Sequence, residues 1–186
     1  MEKSRERKVV SIVGMTGSGK SEVAKVFERS GFVRVRFGDL TDEEVAGRGW
    51  ELNEENERRV RELLRKKHGM AAYARLNVPR IDSVLEQANV VVDGLYSWEE
   101  YLLFRNYYRE QFVVVAVWSS PETRYQRLTA RAVRGLTLDK AVSRDVAEIE
   151  NLNKGGPIAM ADFTIVNESS LEELREQVER IITGLK

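Results

Sequence analysis

With 186 residues the chain is about one domain in length and long enough to bury a single core. Thirty lysines and arginines balance thirty aspartates and glutamates, so no net field draws it to nucleic acid or to a membrane, and neither partner is expected. The lack of cysteine excludes disulfides and thiolate metal sites, and with no long apolar run a cytoplasmic protein is expected.

After a polar opening, Val9, Val10, Ile12 and Val13 form a short β-branched run, the composition of a strand buried on both faces. Gly14-Met15-Thr16-Gly17-Ser18-Gly19-Lys20-Ser21 follows and fits G-x-x-x-x-G-K-[ST] at every fixed position. Val23, Val26 and Phe27 then recur at helical spacing, and Gly31 closes the segment. Glycines in such a loop let successive N–H groups turn toward phosphate oxygens, and the positive end of the following helix dipole adds to them. Lys20 is placed for the β- and γ-phosphates of a nucleotide, and the Ser21 hydroxyl for Mg²⁺.

Residues 32–39 alternate apolar and basic side chains and predict a strand ending at Asp39. Thr41-Asp-Glu-Glu44 has the pattern of a capping box and predicts a short helix from Thr41. Asn53 caps another helix, which ends at Gly69, and residues 70–88 predict a helical piece interrupted near Pro79. Residues 41–88 thus form an arginine-rich helical insertion, read as an acceptor-binding subregion. Residues 89–93 are a buried strand ending in Asp93, and Ser97 caps the next helix. Residues 112–118 are another buried strand, Ser120-Pro121 opens a helix, and 135–137 break it before a helix over 138–151. Residues 153–157 predict a turn, 163–166 the last strand, and Ser170 caps a terminal amphipathic helix. The fold class is α/β: one domain with a five-stranded parallel sheet, helices on both faces.

Beyond the loop, Asp93 at a strand end either holds a water of Mg²⁺ beside Ser21 or caps a turn. Asp39 either takes the proton of an acceptor hydroxyl or favours a helix start. Arg124, Arg127, Arg131 and Arg134 recur at helical steps, and with Glu122 as the one acid they leave a surplus of +3 between Ser119 and Leu138. That face either covers a transferring phosphoryl group, as a lid over 124–150, or is solvated and paired with acids elsewhere. His68 reads as a helix end, and Trp50, Trp98 and Trp118 as packing residues.

These pieces together resemble the dephospho-coenzyme A kinase branch of the P-loop nucleotide kinases and the archaeal nucleotide-kinase-like proteins related to it. The resemblance spans nearly the whole chain. It rests on the glycine loop, Phe-Gly-Asp39, Val-Val-Val-Asp93-Gly, Arg-Tyr-Gln-Arg127-Leu-Thr-Ala-Arg131, Ser-Arg144-Asp145 and Ala161-Asp-Phe-Thr-Ile-Val-Asn167. It implies ATP as donor, held by Gly14, Thr16, Gly17, Ser18, Gly19, Lys20, Ser21, Arg127 and Arg131, with Asn167 beside the adenine. It implies Mg²⁺ on Ser21 and Asp93, with Lys20, Asp39 and Arg131 acting in transfer to a small-molecule acceptor. Nucleoside monophosphate kinases of similar build usually place an arginine where this chain has Asp42, and often another where it has Tyr96. The departure favours a hydroxyl of a nucleotide-like molecule over a nucleotide phosphate. Another nucleoside or nucleotide kinase is the alternative enzyme, and a nucleotide-binding switch with little turnover the alternative class.

Overall fold

In the computed structural model, which describes residues 7–131 and 135–185, five parallel strands make one sheet in the order β2-β3-β1-β4-β5. Strand β1 (Val9–Val13) is central, between β3 (Val90–Asp93) and β4 (Phe112–Trp118). The three are almost wholly apolar and buried on both faces, as strands sandwiched between helices must be. Edge strands β2 (Val33–Arg36) and β5 (Phe163–Val166) are partly exposed and carry polar residues.

Alternation along β1 divides the core. Val10 and Ile12 face α1 (Lys20–Arg29) and α9 (Leu171–Leu185), which brings Leu174, Val178 and Ile182 at four-residue steps. Val9 and Val13 face the other layer, built from α2 (Gly38–Gly47), α3 (Glu54–His68), α4 (Ala72–Leu85) and α5 (Trp98–Tyr108). Because β3 and β4 lie on opposite sides of β1, the chain changes direction there, and a crevice opens at the carboxyl ends of these strands. The glycine loop sits at that point. The helices α6 (Pro121–Thr129), α7 (Leu138–Leu152) and α8 (Gly155–Ala159) follow β4. Arg134 lies outside the described residues.

Four local expectations are corrected. Strand β2 stops at Arg36, and α2 begins at Gly38, so Asp39 belongs to a first helical turn. Thr41 lies inside that helix rather than capping it, because its buried hydroxyl is shared with the Tyr73 hydroxyl at 2.6 Å. Helix α4 runs unbroken through Pro79. Pro79 and Arg75, whose carbonyl loses its partner, are both exposed, so the unmade bond faces water while Tyr73, Asn77 and Ile81 hold the buried side. The expected turn at 153–157 is instead a left-handed Asn153 (φ 51°) that ends α7, followed directly by α8.

The helical layer is anchored by Phe104, fully buried, with the rings of Tyr108, Phe112 and Phe37 edge-on at 5.2, 5.6 and 5.9 Å. Phe104→Ala is expected to cost about 3–5 kcal/mol in chemical denaturation. A loss under about 1 kcal/mol is incompatible with this packing.

Candidate active site

The loop between β1 and α1 is shaped by what lies behind it. Gly14 has φ 146°, and a Cβ there would stand 2.4 Å from the Val117 carbonyl oxygen. Gly19 is left-handed (φ 101°), and its Cβ would stand 2.2 Å from Asn167 Nδ2. Both positions therefore need glycine for conformation and for space. Gly19 is also the N-cap of α1, so no capping side chain covers the first N–H groups of a ten-residue helix.

Side chains from the β4–β5 side hold the loop carbonyls. Asn167 Nδ2 donates to the Ser18 carbonyl at 2.8 Å, and the Asn167 backbone N–H is tied to the Trp118 carbonyl at 2.8 Å. The Ser119 hydroxyl donates to the Asn167 carbonyl at 2.7 Å. Arg127 lies over this junction, donating to the Ser119 hydroxyl at 3.1 Å and the Asn167 carbonyl at 3.0 Å. Arg124 is buried and serves a different purpose from its helical neighbours. It donates to the Thr16 carbonyl at 3.2 Å and the Ser119 carbonyl at 3.2 Å, and pairs with Asp145 of α7 at 2.7 Å. Arg131 follows the end of α6 and is exposed. The described arginines of the stripe thus part company: Arg124 is a buried staple, Arg127 a half-buried tie to the β5 end, and Arg131 is exposed.

Lys20 folds back along the loop, donating to the carbonyls of Gly14 and Met15 at 2.8 and 2.9 Å. Burial, with Lys154 nearby, brings its ammonium down from 10.5 to about 7. A second charged group lies alongside. Glu148 of α7 accepts from the Thr16 hydroxyl at 2.6 Å, from Lys154 at 2.6 Å and from Arg144 at 3.3 Å. Burial alone would raise the Glu148 carboxyl, but Lys154 and the Thr16 hydroxyl outweigh it and hold it at about 2. Sequence reasoning missed Glu148 and Lys154. The one local sign was Glu148 four residues after Arg144, an ordinary helical pair.

At the neighbouring strand ends, Asp93 is paired with Arg34, which also reaches Glu28 at 3.2 Å. Ser21 is exposed at the start of α1. Asp39 accepts from Arg36 Nε at 2.6 Å, the same guanidinium pairs with Asp42, and Arg80 stands 3.9 Å from Asp39. Loop, strand-end acids and basic side chains all open at one edge of the sheet. Among the described residues no three histidines, aspartates or glutamates cluster as a metal site. None of the described helices is long and apolar enough to cross a membrane.

A family model described as an AAA domain matches residues 10–135. A UPF0200 protein of Thermococcus kodakarensis is 39% identical over 178 residues, covering 94% of this chain and 96% of its own. One from Hyperthermus butylicus is 35% identical over 181 residues, covering 96% and 95%. Among solved structures, shikimate kinase from Bacteroides thetaiotaomicron is similar with a TM-score of 0.62 and 16% identity, over 96% of this chain and 98% of that one. A gluconokinase from Sinorhizobium meliloti gives 0.57 and 14%, over 97% of each chain. At these identities the likeness establishes a common fold, that of the P-loop kinases.

The Lys20 environment makes a pH prediction. Phosphate oxygens in the loop restore the charged ammonium, so the complex holds a proton that the free protein loses above about pH 7. ATP binding is then linked to proton uptake, and affinity weakens by up to about tenfold per pH unit as pH rises beyond that point. Calorimetry in buffers of different ionisation enthalpy counts the proton, and Lys20→Met, measured in parallel, subtracts the ionisation of ATP itself. Equal proton uptake in both proteins contradicts the assignment.

Proposed function

Because the chain belongs to the UPF0200 family and has the fold of the P-loop kinases, we propose that it is a small-molecule kinase. It transfers the terminal phosphoryl group of ATP to a hydroxyl of a nucleotide-like acceptor, as its resemblance to dephospho-coenzyme A kinase suggests. The observation that carries the reading is the glycine loop closed over a half-buried lysine whose hydrogen-bond partners are the loop's own carbonyls. A cation in that position, with few acceptors of its own, is matched by polyphosphate oxygens.

In the proposed reaction the bond from the terminal phosphorus to the β,γ-bridging oxygen breaks, and a bond from the acceptor oxygen to phosphorus forms. The acceptor hydroxyl loses its proton and ADP leaves. Asp39, oriented by Arg36, is the candidate to receive that proton. Lys20 and Arg131 are the candidates to balance charge spreading over the equatorial oxygens. Arg127 and Asn167, which join the loop to β5, fit the base side of the nucleotide. The oxygen donors Ser21 and Asp93 fit Mg²⁺, a hard cation that keeps several waters and nucleotide oxygens at such loops. When bound, it would neutralise charge on the β- and γ-oxygens. Asp93 would meet the ion in competition with Arg34. The absence of arginine at 42 and 96 supports an alcohol over a phosphate as the attacking group.

Multiple-turnover ADP release across a panel of alcohols and nucleotides tests the reading. Acceptor-dependent turnover is expected, whereas ATP binding with no turnover on any acceptor would instead support a nucleotide-binding switch. Asp39→Asn keeps shape but removes the basic carboxylate. It is expected to retain ATP binding and melting temperature while losing on the order of 10²-fold in turnover. Near wild-type turnover in that variant assigns Asp39 a structural part only.

A further inference from the structure

The two arginine positions vacated at Asp42 and Tyr96 leave open what would hold an anionic group on the acceptor. The surroundings of Tyr96 answer this. The Lys154 ammonium stands 5.3 Å from the centroid of the Tyr96 ring and is 1% exposed. Glu148 Oε2 accepts from it, while Oε1 of the same carboxylate accepts from Thr16 and Arg144. The donors come from three parts of the chain: the phosphate loop, the middle of α7 and the residue before α8. All converge on one carboxylate group. A lysine ammonium, a guanidinium and a hydroxyl arranged about two oxygens form a cage for an oxyanion, and the protein fills it with its own side chain.

Its place in the fold says which ligand it serves. Lys154 leans on Tyr96, and a Cβ on Gly156 would stand 2.7 Å from the Trp98 ring. Both aromatics follow β3, on the same half of the sheet edge as Asp39 after β2. Asn167 and Arg127 lie on the opposite half, beyond β4. The cage is therefore on the acceptor side of the loop and not on the base side. The residues that helix α7 buries are Ala141, Asp145 and Glu148. Its apolar residues Val142, Val146 and Ile149 are exposed, so ion pairs rather than a greasy stripe hold it down.

We propose that Arg144, Lys154 and the Thr16 hydroxyl form a subsite for an anionic group, phosphate or carboxylate, carried by the acceptor alcohol, and that Glu148 occupies it until the acceptor arrives. The identity of the ligand as an acceptor rests on the kinase reading; the anion site itself does not. Oxyanion oxygens replace those of Glu148 one for one, and the freed carboxylate swings aside by side-chain rotation while α7, which also carries Arg144, stays docked through Asp145 and Arg124.

The test titrates inorganic phosphate, and separately acetate, into protein loaded with Mg²⁺ and a non-hydrolysable ATP analogue, read by calorimetry and thermal shift. Glu148→Gln keeps the shape but removes the internal competitor, and is expected to bind at least one of these anions about 5–150-fold more tightly than wild type. Arg144 has a side chain 47% exposed, so Arg144→Gln is expected to fold normally. It should weaken the same anion about tenfold, with analogue affinity changed less than about threefold. Lys154→Met/Glu148→Gln leaves no unpaired buried charge of this pair and should lose the gain of the single variant. Failure of Glu148→Gln to bind either anion more tightly than wild type overturns the proposal. So does equal anion affinity in wild type and Arg144→Gln. A matching loss of analogue affinity in Arg144→Gln assigns the cage to the terminal phosphate of the donor and overturns the acceptor site. If the anion pattern holds but no alcohol is phosphorylated, the kinase reading fails and the subsite stands; turnover without the anion pattern sinks the subsite alone.

Discussion

The loop depends on its carbonyls being held from behind. Arg124 takes the carbonyl of Thr16, and Asn167 takes that of Ser18. In a planar trans peptide the next N–H points the other way, so Gly17 and Gly19 present their donors on the opposite side. The donor side of the loop is thus set by two side chains more than a hundred residues downstream, one from α6 and one from the end of β5. Neither has to touch a ligand to shape the site. The staple extends further, because Arg124 is itself fixed by Asp145. The pose of α7 and the shape of the loop are therefore one mechanical unit.

Asp145 and Glu148 lie one helical turn apart, and each captures a buried cation from another element. A buried ion pair loses hydration on a scale similar to its Coulomb gain, so such pairs contribute little net stability. They fix register: a helix docked by two charged clamps can sit in few positions, whereas an apolar stripe can slide. Helix α9 shows the contrast: among the described residues no ion pair docks it in the way Asp145 and Glu148 dock α7, and Leu174, Val178 and Ile182 attach it by apolar area together with Gln177, which bonds the Val166 backbone.

Much of the fold was legible because its signals are local. The β-branched runs marked the strands, and the glycine spacing marked the strand–loop–helix unit at its right place. What escaped was set by partners distant in sequence. Thr41-Asp-Glu-Glu44 reads as a cap until Tyr73, thirty-two residues on, takes the threonine hydroxyl. Pro79 reads as a break until it is known to face water. Periodicity put Arg124 and Arg127 near one face but could not say that the first meets Asp145 and the second the Asn167 carbonyl. Lys154 looks like a turn lysine between Asn153 and Gly155, and only the tertiary fold buries it against Glu148. Arg134, read with the same stripe, lies outside the described residues.

These charges are unevenly distributed along the edge of a chain of zero net charge. On the β2–β3 half of the edge each of two arginines is shared by two acids: Arg34 meets Asp93 and Glu28, and Arg36 meets Asp39 and Asp42. Such pairs orient their acids and leave no surplus of positive charge among these side chains. At the loop mouth the balance differs, because Thr16, Arg144 and Lys154 share the single Glu148 while Lys20 has only carbonyls. Burial first, and then Lys154, lowers the Lys20 ammonium. Under the proposed function a polyanion would meet these cations, each phosphoryl oxygen supplying an acceptor. Low-dielectric walls would concentrate their field in the crevice, so that attraction arises from local mismatch inside a protein whose sum is neutral.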